Sequence, residues 1–297
     1  VETKTPDGGT TNNYYDLSGR VALSQNDKQR AVTPPLCTYF VYDNLSRVIE
    51  TGVVEKLNKW NTTFFFNANN SFYSDLQTKG RQEVTATIYD TASYTVAGPF
   101  IKLPAQNNLK NRVSCTKYFE AISPGINASR DTGYVNALHY SYDISGNVKT
   151  LIHDLRTAGD IALRFKRVDY EYDLYSGKVL MVAYNRGYAD QFYQKYTYDS
   201  DNRIVDVTTS NNGVYWDRDA HYQYYEHGPL ARTELGENRV QGVDYAYTIN
   251  GWLKAINGVQ NNALNDMGTD GGTGLVTPKD VFSQRIDYFA GDYKAIA

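Results

Sequence analysis

Gln194-Lys195-Tyr196-Thr197-Tyr198-Asp199-Ser200-Asp201-Asn202-Arg203-Ile204-Val205-Asp206-Val207-Thr208 reads as a single β-hairpin, and much of the chain restates it. Tyr196 and Tyr198 alternate with Lys195, Thr197 and Asp199, so in an extended strand both rings project from one face. Asp199 stands where a type I turn favours a carboxylate that accepts nearby backbone N–H groups. Asn202, three residues on, tolerates the left-handed conformation that closes such a loop. The β-branched run Ile204, Val205 and Val207 supplies the returning strand.

The phrase recurs. Tyr15-Asp16 is followed by Gly19-Arg20-Val21, Tyr42-Asp43 by Ser46-Arg47-Val48, and Tyr142-Asp143 by Gly146-Asn147-Val148. Tyr172-Asp173 has one extra residue before Gly177-Lys178-Val179; Tyr247 lacks the Asp but keeps Gly251; Tyr225-Glu226-His227-Gly228 is a decayed copy. From Tyr142 to Tyr247 the intervals are 30, 26, 27 and 22 residues, the length of two strands and two turns. The expected fold is therefore all-β, an array of antiparallel hairpin repeats.

The 297 residues suffice for a substantial core in one large or two ordinary domains. A formal charge of -3, with 30 Lys+Arg mixed evenly among 33 Asp+Glu, lacks the basic stripe of a nucleic-acid binder. No apolar run approaches the length of a membrane-spanning helix. The 27 Tyr stand out against 11 Phe and 3 Trp. Tyrosine covers apolar surface while keeping a hydroxyl that needs a partner, which suits a thin sheet with two working faces. Cys37 and Cys115 are too few for a disulfide framework, and free, packed thiols are expected. The chain opens at Val1 without an initiator Met or a signal-like region, so it is expected to be a segment of a longer protein with any export signal outside it.

In chain order, residues 1–52 hold two well-formed repeats, with Pro34-Pro35 marking a turn. Residues 53–136 are degenerate repeats with loop insertions. Glu83 to Tyr89-Asp90 is a good strand, but its matching Asn111-Arg112-Val113 arrives only after a turn expanded into a loop. Trp60 to Phe72 is expected to form a further strand pair, and Phe64-Phe65-Phe66 implies burial on both faces or an outside contact. Residues 137–258 are the regular repeats, carrying Tyr140 and Tyr142, Tyr170 and Tyr172, Tyr196 and Tyr198, Tyr222 and Tyr224, and Tyr245 and Tyr247 as ladders along one wall. His153 to Phe165 fits a short helix or a loop. Residues 259–281 are a Gly/Asn/Asp-rich stretch, mobile from Asn261 to Thr277; in 282–297, Phe282 to Tyr288 is the last strand.

Tyr-Asp-x-x-Gly-Arg-Val at such intervals resembles the YD-repeat, or Rhs (rearrangement hot spot), family, whose animal relatives are the teneurins. The run Tyr198 to Gly258, with Trp216-Asp217-Arg218-Asp219-Ala220, His227-Gly228-Pro229-Leu230-Ala231-Arg232 and Asp244-Tyr245-Ala246-Tyr247, is similar to the large secreted Rhs proteins of Bacteroidota. The resemblance implies a curved β-strip that spirals into a hollow shell around a C-terminal toxin. It also implies a self-cleaving Asp in a Pro-x-x-x-x-Asp-Pro-x-Gly plug. No Asp-Pro pair occurs in the chain, so no autoproteolytic residue carries over.

Other constellations favour plain readings. Asp217 and Asp219 could pair for acid/base work on one strand face, but with Arg218 between them they read as solvated or ion-paired carboxylates. His221 and His227 with Asp219 or Glu226 lack metal-ligand spacing. Asp266-Met267-Gly268-Thr269-Asp270-Gly271-Gly272 lacks the ligand series of a calcium loop and reads as linker. No cofactor or metal is expected, and no enzyme activity. The Tyr ladders read as structure rather than a sugar- or peptide-stacking site, since every repeat carries them.

The leading expectation is a wall segment of an encapsulating shell, with its own C-terminal toxin or effector domain as partner and secretion translocon components as further ones. Such a protein is secreted or sits at the cell surface. The alternative is a cell-surface adhesin binding glycan or protein, supported if Phe64, Phe65 and Phe66 face solvent. A glycosidase-like use of Asp217 and Asp219 is the third reading.

Overall fold

In the computed structural model, which describes residues 1–6, 9–65, 67, 71–94, 103–130, 132–156, 158, 161–258, 266–271 and 276–289, the Tyr-Asp phrases are hairpin corners. The chain divides into two compact units, Val1–Arg167 and Val168–Ala297. The first carries β1 (Glu2–Thr5), β2 (Gly9–Tyr15), β3 (Val21–Gln25), β4 (Leu36–Tyr42), β5 (Val48–Glu55), β6 (Arg81–Tyr89), β7 (Val113–Ile122), β8 (Asn136–Tyr142) and β9 (Val148–Leu155). Each pairs antiparallel with the next. The second carries β10 (Phe165–Tyr172), which starts at the boundary, then β11 (Val179–Tyr184), β12 (Phe192–Tyr198), β13 (Ile204–Ser210), β14 (Asp217–Tyr224), β15 (Leu230–Leu235), β16 (Gln241–Tyr247), β17 (Leu253–Ile256) and β18 (Gln284–Arg285). These too pair antiparallel in sequence order. The fold is all-β, and each unit is an open antiparallel strip.

Strand periodicity sets the faces. In β4, Cys37, Tyr39 and Val41 are buried and their neighbours are not; in β9, Thr150, Ile152 and Asp154 alternate likewise. The first unit has a thick core in which Leu23, Tyr39, Val54, Trp60, Phe65 and Leu76 pack together. Tyr39 donates to buried Glu50 (2.8 Å), which also pairs with buried Arg81. In the second unit the buried apolar residues are few and mostly small, Ala183, Ala220 and Ala255 among them. Many of its other buried residues are polar. That unit rests on strand pairing and tyrosines more than on an oily centre.

Two expectations are corrected, and one, the last strand, holds over a shorter span. Trp60 to Phe72 is not a strand pair: α2 (Thr62–Phe65) and α3 (Phe72–Gln77) occupy it. Asn61 accepts from the Phe64 N–H (3.0 Å) and starts a helical turn, which swings Phe65 inward against Phe72 at 5.1 Å between ring centres. Phe65 is buried, Phe64 is half-buried against it, and Phe66 lies outside the described residues. Phe282 to Tyr288 contributes only β18, whose two residues pair with Ala255 and Ile256. Finally, the described part of the expected mobile loop folds back, burying Asp270 and Thr277.

Elsewhere Tyr89 faces Val113 across the hairpin, as expected of a repeat whose turn is expanded, and residues 95–102 of that connection lie outside the described set. Helical signals were sparse but present: α1 (Asp27–Ala31) carries a capping box from Asn26 and Gln29. His153 to Phe165 comprises the end of β9, then α4 (Ile161–Arg164), then the start of β10, with residues 157, 159 and 160 outside the described set. Cys37 and Cys115 are both buried and free, and burial pushes the Cys37 thiol up to about 12.

Candidate functional site

Each corner is built from its own phrase. Asp199 Oδ1 accepts from the backbone N–H groups of Asp201 and Arg203 (both 2.9 Å), while Oδ2 takes the Arg203 Nε at 2.7 Å. The same clamp joins Asp16 to Arg20 (Nε, 2.8 Å) and Asp43 to Arg47 (2.7 Å); at Asp143, Asn147 replaces the arginine (3.0 Å). The closing residue is left-handed in each, with φ +75° at Gly19, +62° at Ser46, +97° at Gly146 and +62° at Asn202. Gly177 and Gly251 serve at the Tyr172-Asp173 and Tyr247 corners, where Asp173 accepts from the Ser176 N–H (2.6 Å) and Thr248 takes the place of Asp. A one-residue register shift precedes the corner tyrosine throughout, as at Thr197/Tyr198 and Val41/Tyr42.

The corners also grip each other. Tyr42 Oη donates to the Val21 carbonyl (3.0 Å), Tyr89 to Val48 (3.1 Å), Tyr142 to Val113 (2.8 Å), Tyr198 to Val179 (2.7 Å) and Tyr224 to Ile204 (2.8 Å). Every acceptor is the first residue of the returning strand in the preceding hairpin. The clamped arginine stacks on the same tyrosine: Arg20 over Tyr42 (4.5 Å), Arg47 over Tyr89 (4.2 Å) and Arg203 over Tyr224 (4.4 Å). Arg47 reaches further, to Asp90 of the next corner at 2.7 Å. Burial would raise the Asp16 and Asp43 carboxyls, but the bonds from Arg20 and Arg47 outweigh it and hold both below the usual range. At Asp199 the Arg203 backbone N–H is the chief cause of the same depression.

A second assembly lies where the described end of the chain returns. Arg232 on β15 sits across from Asp244 on β16. Its Nη1 bonds Asp244 Oδ2 (2.5 Å) and its Nη2 bonds Asp270 Oδ1 (2.6 Å). Asn257 ties the group together: its Oδ1 accepts from the Asp244 N–H (2.8 Å) and its Nδ2 donates to Asp280 Oδ1 (3.0 Å), which also takes Gln241 Nε2 (3.2 Å). Asp244, Asp270 and Asp280 are all buried, and an oxygen from each lies within 4.8 Å of the others. Asp270 Oδ2 and Asp280 Oδ2 are buried with no hydrogen-bond partner. Burial, with the charges of Asp266, Asp270 and Asp244, pushes Asp280 up to about 6. Gly242 and Gly268 make the approach possible, because a Cβ on either would collide with Arg232 and with a carboxylate of Asp270 or Asp244. A cavity of about 420 Å³ opens beside them, lined also by Tyr225 and Thr277. Sequence reasoning missed this cluster.

The sequence-derived acid/base and metal candidates stay apart. Asp217 and Asp219 are exposed, the latter accepting from Thr209 Oγ1 at 3.0 Å. His221 pairs with Asp206 (2.7 Å), and His227 stacks on Tyr225. In the first unit Ser93, His139 and Asp154 fall in a row, with Ser93 Oγ 2.7 Å from His139 Nδ1. His139 Nε2 is 3.9 Å from Asp154, beyond hydrogen-bond reach, and Asp154 is bonded by Arg164 (2.6 and 2.8 Å) and Tyr134 (2.6 Å). That row is a structural network around a buried carboxylate. Among the described residues no helix is long and apolar enough to cross a membrane.

What the geometry defines, within each unit, is a strip of hairpins with tyrosine corners, five of which are hooked to the hairpin before. No family model matches the chain, and no curated protein matches it. Among solved structures it is similar in fold to TcdB2–TccC3, at 16% identity and a TM-score of 0.52 over 86% of this chain and 11% of that one. The complex TcdB2–TccC3–Cdc42 gives 14% identity and a TM-score of 0.52 over 86% of this chain and 10% of that one. The chain thus spans about a tenth of their length.

Proposed function

We propose that this chain is a wall segment of a hollow YD-repeat shell, of the secreted Rhs kind found in Bacteroidota, that encloses a C-terminal toxin or effector domain. The observation that carries the reading is the use made of the repeated residues. At the Asp16, Asp43 and Asp199 corners, Asp and Arg are spent on one another and on the tyrosine of the neighbouring hairpin, which is what a continuous wall needs. The fold shared with TcdB2–TccC3 supports the same reading. The mechanism is exclusion. Curling a strip on itself covers strand edges that otherwise seed aggregation, and leaves a lumen that holds a passenger away from the cell. The wall itself is non-enzymatic, and the secretion translocon is a partner in export.

Limited proteolysis of the whole gene product tests it. The C-terminal domain should resist protease in the native protein and be cut rapidly once the wall is opened by denaturant. Equal cutting in both states would overturn the reading. The adhesin alternative draws nothing from Phe64 and Phe65, since Phe65 is buried and Phe64 packs on it; selective binding on a glycan array would favour it instead.

A further inference from the structure

We propose that Asp244, Asp270 and Asp280 form a binding site for one hard divalent cation, calcium or magnesium, beside the Arg232 guanidinium. Among the described residues, three buried carboxylates face a single arginine there. Glu234, the other nearby acid, has Arg239 at 3.3 Å as well as Arg232 at 3.4 Å, so it leaves no cation to spare, and half-buried Asp266 adds further negative charge. Uncompensated charge in a buried place is costly, and a buried polar atom without a partner costs about 1–3 kcal/mol.

The independent sign of a ligand is the pair of orphaned oxygens. Asp270 Oδ1 is held by Arg232 and Asp280 Oδ1 by Asn257 and Gln241, yet the second oxygen of each is buried with nothing to bond. Both residues are only 4% exposed, so water does not supply the missing partner freely. Oxygens on one calcium ion stand no more than about 5 Å apart, and the three carboxylates meet that limit at 4.8 Å. An all-oxygen donor set selects hard cations over zinc or copper. Two glycines, Gly242 and Gly268, let Arg232 and the carboxylates come this close together, and the adjoining cavity gives the ion a way in. Bound, the ion would add to the Arg232–Asp270, Asn257–Asp280 and Gln241–Asp280 bonds that already hold the returning segments 266–271 and 276–282, beside which β18 pairs through only two residues. The inference is independent of the shell reading.

The test uses the purified chain stripped with chelator and titrated with Ca²⁺ and with Mg²⁺ by calorimetry, and with Tb³⁺ by luminescence. One equivalent of Ca²⁺ or Mg²⁺ should bind saturably with a Kd below about 1 mM, and raise the melting temperature. Asp270→Asn and Asp280→Asn should each weaken binding at least about tenfold, while Asp217→Asn, at an exposed position, leaves it unchanged. Tb³⁺ emission excited through tyrosine should be displaced by Ca²⁺ and fall in Tyr225→Phe, since Tyr225 lines the same cavity. This readout decides the matter even if the Asn variants fail to fold. Absence of saturable binding, binding unaltered in both folded Asn variants, or emission indifferent to Tyr225 would each overturn the proposal. The three carboxylates would then be only partly balanced, by Arg232 and a proton.

Discussion

The hydroxyl of Tyr42 donates to the carbonyl oxygen of Val21, 3.0 Å away in the preceding hairpin. A side chain at one corner thereby satisfies a backbone group at another, and the same bond recurs at Tyr142 and Val113. Tyr42→Phe and Tyr142→Phe should each lower stability by about 0.5–1.5 kcal/mol. The double variant should show the sum within about 0.5 kcal/mol, because the two bonds share no partner. Urea unfolding of the first unit measures all three.

Arg47 joins three things: Asp43 of its own turn, Asp90 of the next corner, and the face of Tyr89. A double-mutant cycle on Arg47 and Asp90 should return a favourable coupling that shrinks as salt is added, as expected of a partly exposed pair. Arg47→Lys should behave more like Arg47→Ala than like the native chain, since a point charge cannot bond two carboxylates and stack on a ring together. A lysine variant with native stability would show that the planar fork is idle.

Acid should unfasten the corners. Asp16, Asp43 and Asp143 keep depressed pKa values because bonds from Arg20, Arg47 and Asn147 outweigh burial, and Asp199 chiefly through the Arg203 N–H. A carboxyl whose folded pKa lies below its unfolded one adds stability that is present above the unfolded value and lost as pH falls through the folded value. The steepest loss is therefore expected below about pH 4. Denaturant midpoints measured from pH 7 downward should show it, and Asp16→Asn with Asp43→Asn should lessen the slope.

Trp60 and Phe65 are 0% and 1% exposed in the first unit's core. Trp60→Ala and Phe65→Ala should each cost about 3–5 kcal/mol. Were this aromatic stretch an adhesive face, the same changes would leave stability within about 0.5 kcal/mol. Thermal unfolding separates the two.

The corners were legible because a turn is local chemistry: Asp199, Asn202 and Arg203 sit within five residues and meet one another directly. The Arg232 cluster was not legible. Its carboxylates lie as far as 48 positions from Arg232, at Asp280, and they meet only because the chain returns through a stretch rich in Gly and Asn that reads as linker. No spacing rule links Asp244 to Asp270 to Asp280. The α2 and α3 turns were hidden for another reason. Consecutive Phe residues suit a buried strand as well as a short helix, and the Asn61 cap that decides between them is a single side-chain bond.

Cryo-electron microscopy of the full-length protein bears most directly on the proposed wall. The expected density is a continuous layer of β-hairpins closed around a lumen, with the C-terminal domain inside it. A flat or open sheet, with that domain standing free in solvent, would contradict the enclosure.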